Sequence, residues 1–231
     1  MYYYGEQGQT GGGLTLIKSA VSEITGLPVH YAFALDFTGF KKAIDLVGGI
    51  TINVPTAFDD YKYPIPGKES VYPESDRYEH LHFNAGTQQM DGETALKYVR
   101  TRNAEGDEGT DFARSRRQQQ VILAVKDKAT SFETILDPTK LNNLLDLYGQ
   151  YIRTDLAISD YLAFGKIALG LDKAAINNIS LTTGDEGTGQ LGILEHPSPA
   201  KFGGTWVLIA RDNNWGALRQ YIGGELTRLT K

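Results

Sequence analysis

Between Val29 and Val54 the chain reads VHYAFALDFTGFKKAIDLVGGITINV, a run that narrows the possible folds more than any other. Val29, Tyr31, Phe33 and Leu35 alternate on one face, the period of a strand running to Asp36. Phe37 to Val47 places Phe40, Ile44 and Val47 at helical spacing, and Gly48-Gly49 stops that helix. Ile50 to Val54 reads as the next strand. Strand, short helix and strand in succession predict a crossover with both strands in one sheet. His30 falls on the opposite face beside alanines and reads as a packed or edge histidine.

A second stretch, Ala95 to Ala129, concentrates charge. Five of the ten arginines lie between Arg100 and Arg117. Arginine's planar fork grips phosphate oxygens in pairs and stays charged, so the crowding points to an anionic, phosphorylated ligand. Asp91 is placed to cap a short helix to Lys97. Tyr98 to Arg102 reads as a strand, with Tyr98, Arg100 and Arg102 on one face and Val99 and Thr101 on the other. In a helix the two arginines would stand about 200° apart. An acidic, Gly-rich loop from Asn103 to Thr110 is expected to be mobile. A helix then runs from about Asp111 to Lys128, with Val121, Ile122, Val125 and Ala129 among its apolar positions. Extended backwards, its apolar stripe meets Gln118, Arg114 and Asp111. An inward face that turns polar at a helix N-terminus marks a site for an anion. A plainer reading of the same residues is a solvated surface with local pairs such as Asp111 with Arg114.

Composition bounds the function. A net charge of −5 argues against broad nucleic-acid binding, though not against a local basic pocket. With no cysteine there is neither a disulfide nor a thiolate metal site. No apolar run reaches the roughly 18 residues that span a bilayer, and no secretory signal pattern is present.

The remaining segments are read as follows. Leu14 to Thr25 is a helix closed by Gly26, and Gln9 to Gly13 is a flexible Gly-rich run. Lys18 is taken as solvated. Pro55 to Gln89 is long and irregular, with Asp59-Asp60 in a solvated turn. His80 and His82 share a face, a weak metal pair and more simply a strand entering the sheet through Leu81 and Phe83. Helices are expected over Leu136 to Tyr148, which shows Leu141, Leu144, Leu145 and Tyr148, and over Asp160 to Leu169 with Ser159 as cap. Ile176 to Thr182 reads as a strand, Thr183 to Gly192 as a flexible segment, and Gly204 to Ala210 as a buried strand. Trp215 to Leu229 reads as a final helix. The expected whole is a single domain over 1–231, α/β in the mixed α+β sense: a three-layer α-β-α domain with a central mixed β-sheet.

YVRTR, the acidic loop and DFARSRRQQQVILAVKDK, preceded by HYAFALDFTGFKKAIDLVGGITINVP, resemble the two signature blocks of the LytR-CpsA-Psr family. The blocks cover roughly residues 2 to 130. The resemblance implies an extracytoplasmic, membrane-anchored bacterial phosphotransferase. It would bind polyprenyl (pyro)phosphate-linked anionic glycopolymers, such as teichoic acid or capsule, and transfer them to peptidoglycan. By motif position, Arg100, Arg102, Arg114 and Gln118 would hold the pyrophosphate head group. Arg117 ranks lower because helix geometry sets it off their line. Arg102, Arg114 and Asp111 would serve catalysis, with Asp111 orienting Arg114 rather than acting as base, since arginine neighbours lower a carboxylate's pKa. Mg²⁺ would bridge the pyrophosphate oxygens. In the family, residues similar to YYYGEQG follow strands that carry acids associated with Mg²⁺ and a further arginine. The metal's protein ligands and the membrane helix are therefore expected outside this chain. Two other readings stay open: a non-catalytic polyprenyl-phosphate-binding module, and an envelope regulator or scaffold with no ligand.

Overall fold

The computed structural model describes residues 6–8, 12–131, 137–157, 160, 163–164, 179–185 and 190–229, the side chains at 141, 145 and 185 aside. The tyrosine run at Tyr2–Tyr4, the first part of the Gly-rich run, the side chains of Leu141 and Leu145, the Ser159 cap, most of the 160–169 helix and the start of the 176–182 strand lie outside that set. The chain divides into two compact units, 1–33 with 154–231, and 34–153.

The continuous unit carries the sequence motifs. It begins with β1 (Phe33–Leu35) and α2 (Phe37–Leu46), the latter capped by Asp36, whose carboxylate accepts from Gly39 N at 2.7 Å. Its next elements are β2 (Ile50–Val54), β3 (Phe58–Pro64), β4 (Tyr78–Phe83), β5 (Gly86–Met90), α3 (Gly92–Arg100), α4 (Asp111–Ala129), α5 (Pro138–Tyr151) and β6 (Ile152–Thr154). β2 pairs antiparallel with β5, Ile50 opposite Met90, and β3 pairs antiparallel with β4, Phe58 opposite Phe83. Ile50, Ile52 and Val54 face inward along β2. They join Ile44, Phe58, Phe83, Met90, Leu96, Tyr98 and Val121 in one core. α3 meets α2 closely at Gly92, where a Cβ would fall 2.2 Å from Lys41 O.

The other unit holds α1 (Gly12–Thr25), β7 (Gly184–Asp185), β8 (Gln190–Leu191), β9 (Leu194–Glu195), β10 (Ile209–Ala210) and α6 (Trp215–Leu229). Its described core is Ala210, Leu218 and Ile222 with partly buried neighbours including Leu194 and Trp215.

The mixed α+β class expected from the sequence is what the structure shows, and the helices at 12–25 and 215–229 fall where their periodicity placed them. The strand arrangement differs. The described strands form two-stranded ladders, and β1 pairs with β6 while β2 pairs with β5, so the expected crossover between adjacent strands is absent. Local alternation establishes that a segment is extended; it does not choose the partner, which comes from afar. The buried strand expected over 204–210 shortens to Ile209–Ala210, with Trp206 74% exposed, because Gly203 and Gly204 both turn through left-handed backbone. The 55–89 stretch, expected to be irregular, contains three strands, and Asp59-Asp60 lies inside β3 rather than in a solvated turn. His80 and His82 do sit on a strand that enters the core through Leu81 and Phe83.

Candidate functional site: an arginine-lined cleft

α3 decides the placement of the first two arginines. Its N-cap is Asp91, which accepts from Thr94 N at 2.8 Å, as expected. The helix continues through Tyr98 and Val99 to Arg100, overturning the strand expected there. β-branched Val99 and Thr101 favour strand locally, but helix buries Ala95, Leu96, Tyr98 and Val99 together, and that packing outweighs propensity. At Thr101 the backbone becomes extended, with φ −48° and ψ 127°. Arg100, on the last helical turn, and Arg102, just past it, consequently reach the same cleft while Tyr98 points into the core.

That cleft has a volume of ≈ 540 Å³, and its lining includes Arg100, Arg102, Arg114, Gln118, Tyr63 and Asp60. Four residues picked out from either side of the acidic loop thus meet in one place. Arg114 and Gln118 come from the first turns of α4, whose N-cap Thr110 accepts from Ala113 N at 3.1 Å. The Arg100 guanidinium lies 4.4 Å over the Phe37 ring and 5.8 Å from that of Tyr63. Stacking holds the plane and leaves its N–H edge for an anion. Arg114 Nη1 pairs with Asp111 Oδ1 at 3.0 Å, and Arg102 Nη2 stands 3.9 Å from the same oxygen. Asp111 therefore sits between two arginines. Arg102 is 67% exposed, so its donors are open to a ligand.

Arg117 takes a different place from the one expected. It is 1% exposed, and its donors are directed inward: Nε to Tyr98 O at 3.0 Å, Nη2 to Thr101 O at 2.9 Å, and Nη1 to Glu108 O and Oε2 at 2.9 and 2.8 Å. Its guanidinium lies 5.0 Å over Phe58. Burial pulls its pKa below arginine's ordinary value and the Glu108 carboxylate opposes that pull. Its role is to join the end of α3, the 3₁₀ turn Gly106–Gly109 and α4, not to face a ligand. The signal for this lay in the sequence: Ala113, Arg117 and Val121, four apart, are all buried and form the inward stripe of α4. Beside it, burial pushes the Tyr98 phenol up to about 12, and its hydroxyl donates to Gln120 Oε1 at 2.8 Å.

The acidic loop, expected to be mobile, is tied down. Glu105 N donates to Asp59 O at 3.0 Å, Ala104 bridges to Asp60, and Glu108 bonds both Arg116, at 2.6 Å, and Arg117. Asp60, missed as a site residue, has no exposed surface; its two oxygens accept from Lys62 N at 2.9 Å and Asn103 N at 3.3 Å. On the opposite face of β3, Asp59 Oδ1 meets His80 Nε2 at 2.7 Å and His82 Nδ1 at 2.8 Å. Lys18 is paired with Asp155 rather than merely solvated.

An α+β framework presents Arg100, Arg114 and Gln118 from two helices, and Arg102 from the segment just past the first, to one cleft. The chain belongs to the LytR_cpsA_psr family, whose model matches residues 2–197. Similar proteins include the polyisoprenyl-teichoic acid–peptidoglycan teichoic acid transferase TagV of Bacillus subtilis (strain 168), 30% identical over 174 residues, which are 75% of this chain and 40% of that protein. TagU of Oceanobacillus iheyensis is 29% identical over 215 residues, 93% of this chain and 55% of that one. The chain therefore spans about half or less of these relatives' length. Among solved structures, that of B. subtilis TagV has a TM-score of 0.59 at 24% identity, covering 96% of this chain and 72% of that one. TagT bound to LI-WTA has a TM-score of 0.54 at 21% identity, covering 94% and 68%. At such identities the structural likeness shows the fold alone.

Proposed function

We propose that the cleft holds the pyrophosphate of a polyprenyl-linked anionic glycopolymer, and that the protein transfers the glycopolymer to a peptidoglycan hydroxyl outside the cytoplasm. The observation that carries this reading is the convergence of Arg100, Arg102, Arg114 and Gln118 on one cleft; the teichoic acid transferases among its relatives support it. In the reaction the acceptor oxygen bonds to the glycopolymer-side phosphorus, the bond to the bridging oxygen breaks, and polyprenyl phosphate leaves with the hydroxyl's proton. Charge on the transferring group is neutralised by the three guanidinium groups, of which Arg100 is held beforehand by stacking on Phe37 and Arg114 by Asp111. Asp111 orients Arg114.

Mg²⁺ belongs to the same proposal, where it would supply further positive charge against the pyrophosphate. Of the nearby carboxylates, Asp60 does not fit as its ligand, being closed on two backbone amides, and Asp111 holds Arg114 through Oδ1. No step is assigned to the ion. A membrane anchor is likewise proposed for the whole protein; among the described residues no helix is long and apolar enough to cross a bilayer.

The test is calorimetric titration of geranylgeranyl pyrophosphate, with and without Mg²⁺, into the chain and its Arg102→Ala variant. Loss of one charge-assisted contact is expected to weaken binding roughly 10- to 100-fold. Equal affinity in the two proteins would sink the reading. Binding lost with arginine but retained in Asp111→Asn, without any transfer, would favour the non-catalytic module.

A further inference from the structure

Arg102 has no helix to hold it. It follows the last turn of α3, and its neighbours on the chain are extended or bridged rather than helical. A guanidinium that is two-thirds exposed aims reproducibly only if its main chain is fixed. From the geometry we infer that Asp60 is the positioning residue that fixes it, an inference that rests on the pyrophosphate reading of the cleft.

Three contacts carry this. Asp60 Oδ2 accepts from the amide of Asn103, the residue directly after Arg102, while Oδ1 accepts from Lys62 N across the irregularity in β3 between Asp60 and Tyr63. Asn103 returns a bond from its side-chain Nδ2 to Lys62 O at 3.1 Å. Asp60 also bridges to Ala104, and Glu105 N donates to Asp59 O, so the residues just after Arg102 run alongside β3. On the other side of Arg102, the Thr101 carbonyl is taken by Arg117. Arg102 is thus pinned before and after, and Asp60 supplies the hold on its C-terminal side.

Asp60 does not do this by touching the ligand. With no exposed surface it reaches neither solvent nor a bound anion, although it lies at the wall of the cleft. A buried carboxylate beside a site for pyrophosphate is electrostatically unfavourable unless its negative charge has another task. Accepting two backbone N–H bonds is such a task, and neutral side chains do it less well. β-bulges recur beside active sites because they re-aim a neighbouring segment, and here the irregularity turns Lys62 N toward the same carboxylate.

Asp60→Asn is nearly isosteric and keeps one acceptor oxygen while turning an NH₂ against the other amide. The experiment is a double-mutant cycle in geranylgeranyl pyrophosphate affinity. Asp60→Asn is expected to weaken binding about tenfold in the parent chain and in an Arg114→Ala background, and less than about twofold in an Arg102→Ala background, where nothing remains to be aimed. The same factor in the Arg102→Ala background would show that Asp60 acts on the cleft as a whole and would overturn the assignment. Amide exchange of the ligand-free chain is the second readout. Asp60→Asn is expected to speed exchange at Asn103 by about tenfold or more and to leave the α4 amides of Arg114 and Gln118 unchanged. An unchanged rate at Asn103 overturns the proposal. Should the parent chain bind no pyrophosphate, the reading of the cleft fails, and exchange at Asn103 alone decides whether Asp60 holds this segment.

Discussion

A single arginine separates the cleft from the core. Arg117 stands one position from Arg116 and three from Arg114, yet it is the largest fully buried side chain in the molecule's described part, with four hydrogen bonds inside. Arg117→Met keeps much of the volume but leaves Glu108 Oε2 and three backbone carbonyls without this donor, while Glu108 Oε1 keeps Arg116. Breaking a buried pair from one side costs about 3–5 kcal/mol, so urea denaturation is expected to show a loss of that order. A loss below about 1 kcal/mol would mean that these carbonyls find water instead. The residue scale also shows where the sequence misled. Arg100, Arg102, Arg114 and Gln118 were legible because anion chemistry demands their residue type and motif spacing gives their order. Arg117 carries the same chemistry in its side chain; only its four-residue spacing from Ala113 and Val121 distinguishes it. Asp60 was not legible, since its partners, Lys62 N and Asn103 N, are backbone groups that no side-chain pattern announces.

Among the elements, the β3–β4 hairpin has its own pH dependence. On its exposed face Asp59 accepts from both His80 and His82, and those two bonds hold its carboxyl below the ordinary 3.8. The Asp59 bond, seconded by Asn84, raises the pKa of His82 above its ordinary 6.5. A raised histidine contributes its full stabilisation below 6.5 and loses it as pH rises through the folded-state value. A lowered carboxylate contributes above 3.8 and loses it as pH falls through its own. The hairpin is therefore best supported between about pH 4 and 6.5. Melting curves should show Asp59→Asn costing more at pH 5 than at pH 9; a pH-independent cost would remove the histidines from the account. The groups are exposed, so the effect is expected to be small. Why β3 escaped notice is clear from its composition. FDDYKYP is rich in Asp and Lys, which are depleted in strands, and its alternation is broken between Asp60 and Tyr63. β5, GTQQM, has one apolar residue to show.

At the scale of the whole molecule, the two units differ in what holds them. The continuous unit has a core of isoleucines, valines and aromatics around Tyr98; the other has Ala210, Leu218 and Ile222 among its described residues. Both tryptophans, Trp206 and Trp215, belong to the second. Tryptophan emission in urea is accordingly expected to change at lower denaturant than the amide protection of β2 and β5 is lost. Coincident transitions would show one cooperative unit instead, which is what a single domain over 1–231 requires.

The order of the segments has a consequence for synthesis. One unit is assembled from both ends of the chain, while the other is uninterrupted from Ala34 to Arg153, its ends brought side by side as β1 and β6. On the ribosome, which releases the N-terminal part first, the uninterrupted unit has all its residues in hand while residues 1–33 still wait for partners beyond 153. The lining residues of the arginine cleft, all within the uninterrupted unit, are then available before any residue beyond 153 has been made.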